Sequence, residues 1–184
     1  MERLQVGIDC DGVVCERPTW AVAIESVMPN RSGVSHAMPR SAKETRLSSQ
    51  IEAIRFAGRK PRKDAAASLE KLATIADLHL ITSRTTRVQK DLEGWLHKHG
   101  LSSYLRSINC RRPGEPEIQH KSDTARRLGI TIFVDDDPRV VRELLASGIA
   151  AWFRVGRRVP SSNVLPTVDG LADFCHLVTK MTLP

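Results

Sequence analysis

Four short stretches of this chain carry residue types that could do chemistry together. The first is Ile8-Asp9-Cys10-Asp11-Gly12-Val13-Val14, where two carboxylates stand two residues apart after an apolar run. At a strand end that spacing can turn both side chains toward one pocket, and Gly12 lets the backbone turn sharply. One carboxylate can be a nucleophile that forms an acyl-phosphate, and its neighbour a general acid and base. The same letters resemble the opening of a calcium loop, but the acid such a loop needs further on is missing.

The second stretch is Leu80-Ile81-Thr82-Ser83-Arg84. A hydroxyl at a strand end, followed by backbone N–H groups turning into a helix, suits a phosphate oxygen. By itself this is a weak signal, since a Thr-Ser pair there is most often just a helix N-cap. The third is Ile132-Phe133-Val134-Asp135-Asp136-Asp137-Pro138. Three adjacent acids repel one another and are tolerable where a divalent cation neutralises them, and hard oxygen donors favour Mg²⁺. Asp137 reads instead as the cap of a helix that Pro138 begins. The fourth is Lys121, 14 residues before Asp135. Alone it means little; at the start of a helix beside the other three it can neutralise phosphate charge.

The elements that must position these residues alternate. Leu4–Asp9, Leu78–Thr82, Leu105–Cys110, Ile130–Asp135 and Ile149–Arg154 read as strands, most of them buried apolar runs. Between them lie helical stripes: Ala65, Leu69, Leu72, Ala73 and Ala76; Val88, Leu92, Trp95 and Leu96, stopped at Gly100; Ser122–Leu128, stopped at Gly129; Val141, Leu144 and Leu145, stopped at Gly148. Leu171–Met181 reads as a terminal helix, and the tail 160–184 has no motif. Alternation of this kind predicts an open, parallel α/β sheet, which binds ligands beyond the carboxyl ends of its strands. The segment 15–61 interrupts it. Trp20, Ile24, Val27 and Met28 form one helical stripe there, Leu47, Ile51 and Ile54 another, with a loop over 29–39 between them. It reads as a helical insert over the strand ends, with 1–14 and 62–184 as the core.

Length and composition fit one domain with an insert. The 184 residues are 41% apolar, too many for a disordered chain. No apolar stretch approaches the roughly 20 residues of a membrane span. No signal peptide precedes the first strand, so a cytoplasmic protein, monomeric or homodimeric and without membrane contact, is expected. Cys10, Cys15, Cys110 and Cys175 make no C-x-x-C pair, which argues against zinc. The charge is uneven. Residues 16–63 hold ten basic side chains against four acids, while the rest of the chain has 18 against 17. The insert should therefore attract an anionic partner: a phosphorylated small molecule, nucleic acid or an acidic protein.

Taken in order, D-x-D-G-V, apolar-T-S-R, Lys and apolar-D-D resemble the haloacid dehalogenase superfamily of phosphatases. The resemblance covers Leu4 to about Arg154 apart from the insert. The run Trp95-Leu96-His97-Lys98-His99-Gly100-Leu101 and the segment Lys121–Gly148 look most like the 5′-nucleotidase (deoxyribonucleotidase-like) branch. The phosphatase domain of polynucleotide kinases is similar in its Asp-Asp segment and in an arginine after the second motif. The resemblance implies a Rossmann-like open sheet of order 3-2-1-4-5, with the insert as a cap. It implies that Asp9 takes the phosphoryl group and that Asp11 protonates the leaving oxygen and then activates water. Thr82 would bind phosphoryl oxygens, with Ser83 the second choice, and Lys121 would neutralise them; Gly12 and Arg84 would border the substrate. Mg²⁺ would be held by Asp9, Asp135 and the main-chain carbonyl of Asp11, with Asp136 assisting.

The reading that follows is a Mg²⁺-dependent phosphomonoester hydrolase acting on a nucleotide-like small phosphate. Its rival is a 3′-phosphatase acting on nucleic-acid ends. Trp20 and Phe56 in the insert could stack on one base, although their spacing also suits packing against the core. With few aromatics in the chain, stacking platforms for a polymer are scarce. A dehalogenase has less support, because that chemistry needs neither the second acid nor a metal. A non-catalytic binding module is hard to maintain with all five of Asp9, Asp11, Thr82, Lys121 and Asp135 present.

Overall fold

A computed structural model of the protein describes residues 3–16, 59–154 and 165–182. The expected helices and loop of the insert, with Trp20 and Phe56, lie outside these residues, as does 155–164.

The described chain forms β1 (Leu4–Ile8), α1 (Ala65–Ile75), β2 (Ala76–Thr85), α2 (Gln89–Lys98), β3 (Ser107–Arg111), α3 (Glu117–Arg127), β4 (Ile132–Asp135), α4 (Pro138–Ala146), β5 (Ala150–Arg154), β6 (Thr167–Val168) and α5 (Leu171–Thr182). The strands make one parallel sheet of order β3-β2-β1-β4-β5-β6. This is the predicted Rossmann-like α/β architecture, and its order contains the predicted 3-2-1-4-5. The sixth strand is an addition from the tail, where no strand was expected. Two residues of alternation are too few to show in a sequence pattern.

Both faces of the sheet are covered. Val6, Ile8, Leu78, Leu80, Ile132 and Val134 point into one core with Leu69 and Leu72 of α1, Leu92 and Leu96 of α2, and Leu171, Phe174 and Val178 of α5. Ile81, Phe133, Ala151 and Phe153 point into the other with Ala125 of α3 and Val140, Val141 and Leu144 of α4. A strand buried on both faces reads as a continuous apolar run, which is why the central strands were visible in the sequence. Gly7 of β1 lies against the Phe133 ring, which would occupy the space of any Cβ there.

Among the boundaries that differ from expectation, two bear on the site. Helix α3 begins at Glu117 rather than Ser122, so Lys121 sits inside the helix and not at its start. Its first turn follows Pro116 and holds a single apolar residue, Ile118, too little to mark a stripe. Strand β2 runs on to Thr85, so Thr82, Ser83 and Arg84 are strand residues rather than a turn into a helix. The β2–β3 ladder shifts register between Thr82 and Thr85. Neither Thr82 nor Ser83 caps a helix; the caps of the following short 3₁₀ turn and of α2 use no side-chain hydrogen bond. Asp137 does cap α4, accepting from the Arg139 N–H at 2.8 Å, with Pro138 in the first turn.

The chain order reverses at β1. From β1 it passes outward to β2 and β3, then returns to place β4 on the other side of β1. Such a reversal opens a crevice at the carboxyl ends of the two flanking strands. Ile8 pairs with Val134, and the Asp9 N–H donates to the Val134 carbonyl at 3.0 Å. Asp9 and Asp135 therefore emerge side by side.

Candidate functional site

Asp9 and Asp135 are both buried, as is Lys121 between them. The Lys121 ammonium donates to Asp9 Oδ1 and to Asp135 Oδ2, each at 2.7 Å. Asp135 Oδ1 accepts from the Asp137 N–H at 2.8 Å, which locks its carboxylate plane. Burial raises the pKa of Asp9 to about 6, against the pull of Lys121 and with a further push from Asp135. Burial also raises Asp135, and Lys121 opposes it. For Lys121 burial works downward, but the two carboxylates outweigh it and the ammonium holds its proton more firmly than an ordinary lysine. The three groups thus stabilise one another in a place where none would be stable alone.

Asp136 completes the acidic side. Ligand oxygens of Asp9, Asp135 and Asp136 lie within 4.8 Å of one another. Gly12 passes close by with φ +87°, and a Cβ on it would collide with the Asp136 carboxylate. The donor set is all carboxylate oxygen, gathered where the backbone has no side chain to fill the space. That chemistry fits a small hard dication such as Mg²⁺.

Asp11 is partly open, with 26% of its side chain exposed. Arg84 Nη2 donates to its Oδ1 at 2.9 Å, and Arg84 Nε lies at ion-pair distance, 2.8 Å, from Oδ2. Arg59 Nη1 donates to the same Oδ1. The Cys15 thiol lies 3.5 Å from that oxygen. Burial lowers the pKa of Arg59 to about 10, and the neighbouring Arg84 charge adds to the effect. Thr82 is fully buried at the same end of β2, and its Oγ1 accepts from the Arg84 N–H at 3.3 Å. Ser83 is half-buried, and its carbonyl accepts from Arg111 Nε at 3.0 Å.

Arg59 is the functional candidate that the sequence reading missed, because it was counted only as part of a basic insert. The two ends of that insert meet beside the site. Glu16 N donates to Lys60 O at 3.0 Å, Arg62 N donates to Val14 O at 2.9 Å, and Cys15 bridges Pro61. The Trp95 indole N–H holds the Arg59 carbonyl at 2.9 Å. An insert between two loop strands must rejoin the core where it left, so its closing junction was a findable signal.

No family model matches the sequence, and no curated protein matches it. Solved structures do match. A haloacid dehalogenase-superfamily hydrolase of subfamily IA, variant 1, from Geobacter sulfurreducens superposes with a TM-score of 0.63 at 16% identity, covering 96% of each chain. The fold is that of the haloacid dehalogenase superfamily. CbbY from Rhodobacter sphaeroides, solved with phosphate, gives 0.63 at 13% identity over 94% of this chain and 96% of its own. L-2-haloacid dehalogenase from Xanthobacter autotrophicus, solved with chloropropionic acid covalently bound, gives 0.63 at 15% over 98% and 100%. One haloacid dehalogenase fold therefore carries different ligands, and the reaction must be argued from the side chains.

In this haloacid dehalogenase fold, Asp9, Lys121, Asp135 and Asp136 form one group, and Asp11, Arg84 and Arg59 form another. Gly12 lies between the groups. Lys121 reaches the site from the middle of α3, where it binds the two aspartates directly. Among the described residues, no helix is long and apolar enough to cross a membrane.

Proposed function

We propose that the protein is a Mg²⁺-dependent phosphomonoester hydrolase working through an aspartyl-phosphate on Asp9, with a nucleotide-like small phosphate as substrate. The observation that carries this reading is the Lys121 ammonium bridging the buried Asp9 and Asp135 carboxylates, with Asp136 alongside. A nucleophilic carboxylate, a fixed cation and a cluster of hard donors at one strand-end crevice are what phosphoryl transfer requires.

The chain's own residues would act as follows. Asp9 attacks phosphorus through a carboxylate oxygen, and the bond from phosphorus to the leaving oxygen breaks. Asp11 supplies a proton to that oxygen. Water then attacks the phosphorus of the acyl-phosphate and gives its proton to Asp11, and orthophosphate leaves with Asp9 restored. Lys121 keeps the Asp9 carboxylate oriented and balances negative charge. Thr82 and nearby backbone N–H groups donate to phosphoryl oxygens. Asp9, Asp135 and Asp136, with the Asp11 carbonyl, would hold Mg²⁺, which supplies positive charge against the equatorial oxygens. The segment 15–61 would serve as the cap that excludes water and reads the rest of the substrate.

The second reading is a 3′-phosphatase on nucleic-acid ends. The paired guanidiniums of Arg59 and Arg84 favour it, since they could also meet a strand's phosphate backbone. A protein of this kind is expected in the cytoplasm, as a monomer or homodimer.

The test is phosphate release from 5′- and 3′-nucleoside monophosphates, sugar phosphates and a 3′-phosphorylated oligonucleotide. Each is run with Mg²⁺, with chelator and with Asp9→Asn. The expected result is Mg²⁺-dependent release that disappears in Asp9→Asn. Release that survives the substitution refutes an aspartyl-phosphate. Halide release from a 2-haloacid without metal would move the assignment to a dehalogenase.

A further inference from the structure

We propose that Cys10 and Cys15 form a redox pair in the loop after β1, and that a disulfide between them switches the site off reversibly. The effect on activity rests on the phosphatase reading; the bond itself does not.

The two thiols already meet. Their Sγ atoms are 4.0 Å apart, and both residues are fully buried. A tight turn brings them together. The Val14 and Cys15 N–H groups donate to the Cys10 carbonyl at 3.0 and 2.9 Å, and the Gly12 N–H donates to the Cys15 carbonyl at 2.8 Å. A disulfide holds its sulfurs at about 2.05 Å, so the pair must close by roughly 2 Å. The turn that closes carries Asp11, and its first residue follows Asp9 directly. The Cys15 thiol also donates to Asp11 Oδ1 at 3.5 Å and accepts from Arg59 Nη1 at 3.7 Å. Oxidation removes the S–H that makes the first of these contacts. Asp11 is thereby displaced relative to Asp9, together with the Asp11 carbonyl proposed above for Mg²⁺. Neither thiol takes part in the phosphoryl-transfer steps, so the pair is free for this use.

The oxidant is a small peroxide. Hydrogen peroxide transfers one oxygen to a thiol: its O–O bond breaks, an S–O bond forms and water leaves. The second thiol attacks that sulfenic sulfur, the S–S bond forms, the S–O bond breaks, and a second water leaves. The two sulfurs lose two electrons, and the peroxide is reduced to two waters. A small dithiol reverses the change in two exchange steps. Cys15 is the point of entry, because its neighbour Asp11 is partly open to solvent. The hydrogen bond with Cys10 and burial push the Cys15 thiol up, so it stays protonated and reacts slowly. The pair therefore responds to sustained oxidant rather than to a brief pulse, and it stays reduced in a reducing compartment.

The folded full chain is incubated with hydrogen peroxide for hours, and samples are alkylated and mapped by peptide mass spectrometry. Phosphate release on the best substrate of the panel above and Mg²⁺ affinity are followed in parallel. A Cys10–Cys15 disulfide is expected, and phosphate release should fall about tenfold or more, as displacement of a catalytic group would cause. Mg²⁺ affinity should fall with it, and dithiothreitol should restore both. Cys10→Ala and Cys15→Ala, each compared with its own untreated sample, should lose the sensitivity. A wild-type protein that stays folded and forms no such bond overturns the proposal, as does a bond from Cys10 to Cys110 instead. A Cys10–Cys15 bond that leaves activity and Mg²⁺ affinity unchanged, or an equal loss in the two folded alanine variants, overturns the switch. The bond is read by mass and its effect also by Mg²⁺ affinity. Absence of phosphate release from the reduced protein would therefore remove the phosphatase reading and leave the redox pair to be judged on those two readouts.

Discussion

Gly12 passes so close to the Asp136 carboxylate that even a methyl group on the glycine would collide with it. The backbone there also has φ +87°, a conformation that costs an alanine roughly 1–2 kcal/mol. Gly12→Ala should therefore displace Asp136 and weaken divalent-cation binding more than it lowers stability. A Mg²⁺ titration followed by thermal melting checks this. Unchanged affinity in a folded Gly12→Ala protein would detach Asp136 from the metal cluster.

Lys121 is the counter-charge for two buried carboxylates. Lys121→Met leaves Asp9 and Asp135 facing each other unpaired, and breaking such an arrangement costs about 3–5 kcal/mol. For a chain of this size that is a fall in Tm of roughly 10 °C. A divalent cation bound by the same carboxylates should restore part of the loss. Melting curves with chelator and with Mg²⁺ read both effects. Equal losses in the two conditions would mean that the carboxylates do not share a cation.

The tail is part of the core. Phe174 of α5 is fully buried and meets the Trp152 ring edge-on, with centroids 6.0 Å apart. Phe174→Ala should cost about 3–5 kcal/mol, the range for removing a buried aromatic side chain. Denaturant unfolding measures it. A change below about 1 kcal/mol would show that α5 does not seal this face of the sheet.

His79 sits between Gln5 Oε1 and Ser107 Oγ, each at 2.7 Å, and burial lowers its pKa below the usual 6.5. The folded protein then takes up a proton on His79 at lower pH than the unfolded chain does. This contribution to stability is complete above pH about 6.5 and shrinks as the pH falls below it. The stability gap between the wild type and His79→Gln should therefore narrow from pH 7.5 to pH 5. Denaturant midpoints at the two pH values test it, and a constant gap would refute it.

The fold was legible where the pattern is local. The central strands are buried on both faces, so Leu4–Ile8 and Ile132–Asp135 announce themselves as apolar runs. Asp9 and Asp135 follow those runs directly, and an alternating sheet must bring strand ends together. Where the pattern is weak, the reading fell short. The first turn of α3 has one apolar residue, β6 has two residues, and β2 continues through Ser83 and Arg84 without an apolar cue.

The sequence by itself determined the alternation of strands with helices and the acids that follow two of the strands, because hydrophobic period and strand alternation are properties of neighbouring residues; the order of the strands was implied only by the resemblance to a family. It also marked Thr82, Lys121 and the basic insert as candidates. Only the tertiary structure decided which charges meet. Lys121 and Asp9 are 112 positions apart, Arg84 and Asp11 are 73, and Arg59 and Asp11 are 48. Ion pairs at such separations depend on where each helix face and loop junction ends up, and no local pattern encodes that. The same holds for the tail, whose helix becomes core only because α1 lies beside it to be covered.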